Sequence, residues 1–427
     1  MCVALVGRHV GFRWAMGLAL SVLLMGLSVV ESEATARVTS RFGCELGVDF
    51  VAFLSSAHLL GSGEFYDLEA QGLAKQEILG SMGLNRQCPT TPMEYLALFV
   101  VPLLPLTFLP PLTAFWVWTA INLALVAFAL HRLARAASVS RHMLWLWGLG
   151  FFPIVWGLAL GQVTGLLLLI ATEGYLALRN GLERRAGIWL ALLLLKPQFL
   201  PLLLVLLAWQ RRKALLVSFS LSALVVIGLS FALVGVNGGR GWLELIGDVG
   251  GAAAIASAPR LMINWRALTT VFFAWLGPGT MLAVIFGLSL SSAVLALLPW
   301  RDIQWRRMSP ETFDVGMVSV TAVALLIGYS SHLHSLVLLV PPMVFVGAQA
   351  IRSSRGLVVG LVDLFAFGPS LLFQAGVLTG IGAAYPIPSL GTVAILCILN
   401  VMALGRRRLG LGKEYPSRLS ESSKVLS

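Results

Sequence analysis

The segment that decides the fold reads ALLLLKPQFLPLLLVLL from Ala191 to Leu207, an apolar run interrupted by Lys196, Pro197 and Pro201. A run this apolar is typical of a membrane segment. A lone ammonium inside it costs about 2.5–3.5 kcal/mol on insertion scales, so such a charge is usually kept for a function. The adjacent proline interrupts the helix and leaves backbone carbonyls free beside the charge. The segment therefore predicts a membrane protein with a buried polar site for an anionic group.

The composition of the whole chain supports this interpretation. The 427 residues are 58% hydrophobic and 11% charged, with a mean hydropathy of +0.88. A soluble domain cannot bury that much apolar surface. The net charge of +11 would suit a nucleic-acid-binding protein, but the arginines lie in short clusters between apolar segments, which is the positive-inside pattern. We expect an all-α polytopic protein of the cytoplasmic membrane, surrounded by membrane lipid, with no nucleic acid as partner.

Apolar length and flanking arginines predict about 10–12 transmembrane helices together with re-entrant or interfacial helices, and both termini in the cytoplasm. The expected full crossings are Trp14–Val30, Leu112–Leu130, Met143–Leu160, Val163–Leu178, Ala214–Val234, Met281–Leu298, Val315–Tyr329, Ser335–Ala350, Leu357–Gly376 and Leu390–Leu404. The partial segments are Glu94–Leu109, Ala186–Trp209 and Ala267–Leu276. The first crossing has a cleaved signal peptide as its alternative. Residues 1–405 form one membrane catalytic domain in this prediction, with 31–92 as the first outer loop and 406–427 as a cytoplasmic tail.

The segment Ala186–Trp209 has basic residues at both flanks, Arg184-Arg185 before it and Arg211-Arg212 after it. A full crossing would put one basic cluster outside. Two half-helices that meet near Lys196 and return to the same side satisfy both clusters, and a single kinked crossing is the alternative.

The predicted topology puts the conspicuous polar groups near helix ends on the outer face. These groups are Asp49, Glu64, Tyr66, Asp67, Gln162, Asn264, Arg266, His332 and His334. Because the topology was derived only from apolar length and arginines, this convergence predicts an active or binding site at the outer membrane boundary.

Several of these residues have a second, structural interpretation. Asp49 is either a helix N-cap or a general base for a hydroxyl nucleophile. Arg266, at a helix start, either faces an anion or extends to lipid headgroups. His332 and His334 either line a site or cap a helix end, and their spacing disfavours a metal pair. Cys44 and Cys88 share the outer loop as a disulfide or as free thiols. The sequence contains no nucleotide-binding or metalloprotease motif, so no cofactor and no metal is expected.

The order of these elements resembles glycosyltransferase family 87 over roughly residues 14–405. The residues that carry the resemblance are Asp49-Phe50, Ala57, Gly61, Tyr66-Asp67, Gly161-Gln162, Leu195-Lys196-Pro197, Trp209-Gln-Arg-Arg212, Met262-Ile-Asn264-Trp-Arg266 and Ser331-His332. The chain departs from the pattern at Phe53, where tyrosine is expected, and at Trp265, which separates Asn264 from Arg266.

The resemblance implies a C-type glycosyltransferase fold and transfer of a sugar, often mannose, from a polyprenyl-phosphate donor outside the cytoplasmic membrane. The acceptor would be a lipid or glycan hydroxyl. Asp49 matches the family's catalytic base. Donor phosphate and substrate would be bound by Lys196, Arg266, His332, His334, Asn264, Gln162, Tyr66 and Asp67. A lipid-linked sugar flippase or another transporter is the main alternative, and a ligase that transfers a whole glycan from a lipid carrier is a third.

Overall fold

The structure is a computed structural model and describes residues 42–43, 46–84, 92–248, 262–301, 308–353, 355–356, 358–366, 368 and 386–404. Helix makes up 82% of these residues and no strand occurs among them, which confirms the predicted all-α class. The predicted first crossing Trp14–Val30, Cys44, Cys88 and the tail 406–427 lie outside the described residues.

The described chain is a succession of helices of uneven length. The α-helices are α1 Val48–His58, α2 Leu68–Ser81, α3 Pro111–Ala137, α4 Arg141–Gly150, α5 Phe152–Leu160, α6 Thr164–Arg179, α7 Glu183–Leu192, α8 Pro201–Trp209, α9 Lys213–Asp248, α10 Trp265–Phe272, α11 Pro278–Leu297, α12 Pro310–Ile327, α13 Val340–Arg352 and α14 Pro386–Leu404. The 3₁₀ segments are Ala97–Phe108, Leu193–Leu195, Pro197–Phe199, Leu298–Trp300 and Leu333–Leu339, and residues 358–366 are also helical.

Five helices of the described residues are long and apolar enough to cross a membrane, and a sixth candidate is a bent pair. The five are Pro111–Ala137, Lys213–Leu245, Pro278–Trp300, Pro310–Ile327 and Leu333–Arg352. They coincide with predicted crossings, so the chain is a polytopic membrane protein. The total of about 10–12 crossings stays a prediction, because part of the chain lies outside the described residues.

The candidate spans differ in how deeply they are packed. The most apolar windows of Pro310–Ile327 and Leu333–Arg352 are 78% and 89% buried, whereas that of Pro278–Trp300 is 11% buried. The first two therefore form the centre of the bundle, and the third lies at its edge with an apolar surface that suits lipid. A smaller apolar cluster lies beside these central helices. It joins α1 to the segment Ala97–Phe108 and the start of α3.

Two predicted segments are interrupted rather than continuous. The predicted crossing Met143–Leu160 is the bent pair, since α4 and α5 meet at an angle of 58°. The stretch Glu94–Leu109 contains the 3₁₀ segment Ala97–Phe108 with Pro102 and Pro105 inside it. Proline lacks a backbone N–H and collides with the preceding turn, so these residues do not continue as a long α-helix.

The segment around Lys196 doubles back on itself. It consists of α7, two 3₁₀ turns and α8, and Lys196 is the non-helical residue between the two turns. Glu183 at the start of α7 pairs with Arg212 after α8 at 3.2 Å. A single crossing of this length would separate its ends by about 30 Å, so the contact agrees with the hairpin and not with a kinked crossing.

Acidic and basic side chains pair at the ends of the helices that the arginine clusters predict to be cytoplasmic. Asp314 of α12 accepts hydrogen bonds from Arg179 of α6 at 2.8 Å and from Gln349 of α13 at 2.8 Å, and it is also bonded to Tyr175. These bonds tie three central helices together. Glu173 of α6 likewise pairs with Arg132 and Arg185, each at 2.6 Å.

Candidate active site

Asp49 lies in the first turn of α1, where a close backbone contact fixes it. Gly47 begins the helix with φ 63°, and its N–H donates to the carbonyl of Ala159 at 2.8 Å. A Cβ on Gly161, which has φ 75°, would lie 2.3 Å from Cβ of Phe50. Glycine at position 161 therefore lets α1 approach the turn between α5 and α6, and the positive φ at position 47 favours glycine there. Gly47 is the N-cap residue, so Asp49 is free of the capping role that the sequence left open.

Lys196 connects three other parts of the chain. Its side chain is 2% exposed, and Nζ donates to Oε1 of Gln162 at 3.0 Å and to Nε2 of His334 at 3.1 Å. An ammonium group has no acceptor, so Nε2 accepts and the proton of the neutral His334 ring sits on Nδ1. Nζ also lies 5.3 Å from the ring centre of Tyr95, within the range of a cation–π contact.

Gln162 joins Lys196 to Asp49. Its side chain lies near enough to the Asp49 carboxylate to lower the pKa of that group, and because Oε1 already accepts from Lys196, the amide nitrogen is the atom that can donate towards Asp49. The sequence-predicted residues Asp49, Gln162, Lys196 and His334 thus form one continuous chain of polar contacts. Such a chain holds a carboxylate and an ammonium in fixed positions without letting them neutralise each other directly.

Arg266, His332 and Asn264 lie along a second edge of this cluster. A β-bridge joins Met262 to His332, and the rings of His332 and His334 stack with centroids 6.0 Å apart. The guanidinium of Arg266 lies 4.6 Å from the ring centre of Tyr329. Asn264 is the N-cap of α10, and its amide nitrogen donates to the carbonyls of Gly328 at 2.7 Å and Tyr329 at 3.1 Å. The polar atoms of the Asn264 side chain thus bond backbone groups. Asn264 therefore positions Arg266 and does not face a ligand.

The side chains of Tyr66 and Asp67 stabilise the fold around the site. The hydroxyl of Tyr66 donates to the carbonyl of Tyr95 at 3.0 Å. The carboxylate of Asp67 caps α2 by accepting from the N–H of Ala70 at 2.8 Å. Tyr66 therefore supports the Tyr95 ring beneath Lys196, whereas Asp67 is an exposed helix cap.

Three further residues belong to the cluster and were missed by the sequence reasoning. Glu94 and Tyr95 precede the 3₁₀ segment, and the charges of Lys196 and Arg266 both act on Glu94. Lys75 of α2 is 2% exposed and faces Asp49. The available signal was the scarcity of lysine, which would have singled out Lys75 as readily as Lys196.

Burial and opposing charges set the protonation of the groups in the outer part of the site. Burial raises the pKa of Asp49, while the bond from Gln162 and the charges of Lys196 and Lys75 partly lower it. Burial likewise raises the pKa of Glu94, against the opposing effect of Lys196 and Arg266. Burial lowers the pKa of Lys75, and Asp49 opposes that shift. A carboxylate with a raised pKa is a stronger base than a free one, which suits proton abstraction.

No group of three or more His, Cys, Asp or Glu side chains suited to a metal ion occurs within the described ranges.

Comparison with known proteins gave one family. The model of glycosyltransferase family 87 matches residues 95–328, which is more than half of the chain and includes Tyr95, Gln162, Lys196 and Arg266. Asp49 and His334 lie outside the matched range. No curated protein and no solved structure matches the chain.

Proposed function

Because the chain belongs to glycosyltransferase family 87, we propose that it transfers a single sugar, with mannose as the expected one, from a polyprenyl-phosphate donor to an acceptor hydroxyl. Membership of the family makes the chain a glycosyltransferase. The proposed reaction proceeds with inversion on the outer face of the cytoplasmic membrane, and the acceptor is a lipid or a glycan.

The observation that carries this proposal is the contact chain from Asp49 through Gln162 to Lys196. It presents a carboxylate with a raised pKa and a buried ammonium as separate groups in one cluster. Sugar transfer to a hydroxyl needs both, since a proton must be removed from the acceptor and negative charge develops on the departing phosphate.

The proposed step is a single displacement at the anomeric carbon. Asp49 takes the proton of the acceptor hydroxyl as the oxygen forms its bond to that carbon. The bond from carbon to phosphate oxygen breaks, and its electron pair leaves with the polyprenyl phosphate. One carboxylate is enough, unlike the pair used by glycoside hydrolases, because a phosphate leaves without being protonated.

Lys196, Arg266 and His334 have supporting roles in this proposal. Lys196 uses two of its three N–H groups for Gln162 and His334, so the third remains for a phosphate oxygen. Arg266 adds a second positive charge that Asn264 and Tyr329 hold in place. Glu94 limits the net positive charge when the site is empty, since it lies near both cations.

A flippase remains the main alternative function. Transporters commonly contain broken helices, and the described residues contain several interrupted segments, including the α4–α5 bend and the 3₁₀ segment Ala97–Phe108. Membership of a glycosyltransferase family now favours the enzyme. A ligase that transfers a whole glycan shares the chemistry and is distinguished by its donor.

The proposal is tested by sugar transfer from a labelled polyprenyl-phosphate mannose in purified membranes. We expect Asp49→Asn to lower the rate at least a hundredfold, the usual contribution of a general base, while the variant keeps its folded yield. Asp67→Asn is the matched control, since that carboxylate caps α2 away from the cluster. Near-normal transfer by Asp49→Asn would refute the assignment of the base. Movement of the labelled lipid across the membrane without transfer would instead support the flippase.

A further inference from the structure

A cavity of about 240 Å³ lies away from the candidate active site, at the end of the bundle where the arginines cluster. Its lining comes from the ends of α3 and α6 and the start of α7, with Arg132, Arg135, Asn180, Leu182, Arg185 and Glu173 around it. Glu173 lies about 13 Å along α6 from its start at Thr164, which follows Gln162. The cavity is several times larger than one water molecule, which occupies about 30 Å³.

Positive charge exceeds negative charge around this cavity. Glu173, whose side chain is 5% exposed, is shared by Arg132 and Arg185, each at 2.6 Å. Arg135 also lines the cavity, and among the described residues its guanidinium group has no hydrogen bond or ion pair. Three guanidinium groups therefore face one carboxylate. Like charges one helical turn apart, such as Arg132 and Arg135, repel each other unless an anion lies between them.

Capping of the helix ends does not explain the excess arginines. Arginine often stabilises a helix C-terminus by binding its last carbonyls. At the end of α3 the carbonyls of Ala134 and Arg135 already accept from Val139 and Ser138. At the end of α6 the carbonyls of Leu176, Ala177 and Leu178 accept from the N–H groups of Asn180, Leu182 and Gly181. The free N–H groups of the three arginines are thus left for another acceptor.

We propose that this cavity binds a phosphate group, namely that of an anionic membrane lipid. Guanidinium N–H groups match phosphate oxygens in geometry and charge. The lipid is the favoured source because the cavity lies at the end of α3, a candidate span whose flank exposes Phe128 at 52% and Leu123 at 44%. A headgroup at that level reaches the cavity while its chains cover this apolar flank. Basic pockets between transmembrane helices bind lipid headgroups in this way.

The test is a lipid titration of the purified full chain in detergent, followed by native mass spectrometry. The probes are phosphatidylglycerol, phosphatidylcholine and inorganic phosphate. We expect phosphatidylglycerol to bind more tightly than phosphatidylcholine, and Arg135→Gln to weaken it about fivefold to tenfold, because Arg135 is exposed and supplies one of several guanidinium–phosphate contacts. Arg184→Gln is the matched control, because Arg184 is exposed beside Arg185 but does not line the cavity.

Each outcome has a defined meaning. If inorganic phosphate binds and neither lipid does, and if Arg135→Gln abolishes this binding, the cavity is a phosphate site that does not require a lipid. Equal binding of the two lipids overturns the proposal, and so does an equal effect of the two arginine substitutions. Because neither arginine belongs to the candidate active site, sugar transfer in detergent should be unchanged in both variants, and this separates the proposal from the proposed function.

Discussion

At the scale of single residues, Lys196 is best understood as one end of a polar chain. A buried ammonium is stable only when its N–H groups find acceptors, and Gln162 and His334 provide two of them. The Tyr95 ring adds a cation–π contact. A lysine is therefore tolerated in this apolar segment, and its third N–H group is the one that the proposed function assigns to a phosphate oxygen.

Lys196→Met should weaken binding of the polyprenyl-phosphate donor about 10–100-fold, since a hydrogen bond to a charged group contributes about 1.5–3 kcal/mol. The measurement is the donor dissociation constant by titration in detergent. Lys213→Met is the control, because Lys213 is an exposed lysine that follows the same hairpin. An unchanged donor affinity in Lys196→Met would leave this lysine with a structural role only.

The pH dependence of transfer should reveal the groups around Asp49. Those groups are Lys75 of α2, Lys196 and Gln162, and the Tyr95 hydroxyl lies close enough to feel the carboxylate. Asp49 must be ionised to act as a base, so the rate should fall as the pH drops through its raised pKa. Lys75→Met removes a positive charge that favours the ionised form. The acid limb of the profile should therefore move to higher pH.

Lys75→Arg keeps the positive charge and should leave the acid limb of the pH profile close to its original position. The comparison requires kcat/KM against pH for both variants and the parent chain. If Lys75→Met lowers the rate equally at every pH, Lys75 supports packing and does not set the ionisation of Asp49.

At the scale of elements, α2 has an unusual distribution of side chains. It buries Gln71 and Lys75, each 2% exposed and one turn apart, while Leu73 is 60% exposed. The burial of Gln71 is explained by its hydrogen bonds, since its side chain donates to the carbonyl of Phe65 and accepts from the N–H of Met93. The apolar pattern of α2 alone would have placed its inner face wrongly, because Gln71 bonds backbone groups and the charge of Lys75 interacts with that of Asp49.

Close packing of α6 against α3 depends on a particular glycine. A Cβ on Gly165 would lie 2.2 Å from the carbonyl oxygen of Asn122, whereas a Cβ on Gly174 would meet Leu190 at 3.5 Å. Gly165→Ala should lower the free energy of unfolding by about 1–3 kcal/mol. Gly174→Ala, in the same helix, should raise it by about 0.5–1 kcal/mol through better helix propensity. Unfolding in detergent measures both, and equal effects would contradict this packing.

At the scale of the whole molecule, the two ends of the helices carry different chemistry. The candidate active site lies at one end, and the paired arginines and acids, such as Arg179 with Asp314, lie at the other. The positive-inside pattern predicts that the second end is cytoplasmic. A site for lipid-linked sugar would then lie on the outer face, where the first loop contributes α1 and α2.

This orientation is tested by labelling intact cells with a membrane-impermeant maleimide in a background where the native cysteines are replaced. Glu77→Cys on α2 should react from outside, since Glu77 is exposed in the predicted outer loop. Ser353→Cys, exposed after α13, should react only after the cells are permeabilised. The reverse pattern would invert the topology and place the candidate site in the cytoplasm.

The sequence by itself determined that this is an all-α membrane protein, and it singled out Lys196 as a candidate functional charge. Both conclusions follow from transfer free energies, which depend on composition along a short segment and need no knowledge of its neighbours. The chain order of Asp49, Gln162 and Lys196 also indicated the family, and the match over residues 95–328 confirms it.

Only the tertiary structure decided which polar residues meet. Whether Asp49 contacts Gln162, and whether Asn264 faces a ligand or the backbone, depends on how closely helices approach, which Gly47 and Gly161 control. Hydrogen bonds act over about 3 Å, so a pattern that places residues on one face of a membrane cannot distinguish partners from neighbours. For the same reason Lys75 and Glu94 became members of the candidate site only after the fold had brought them beside it.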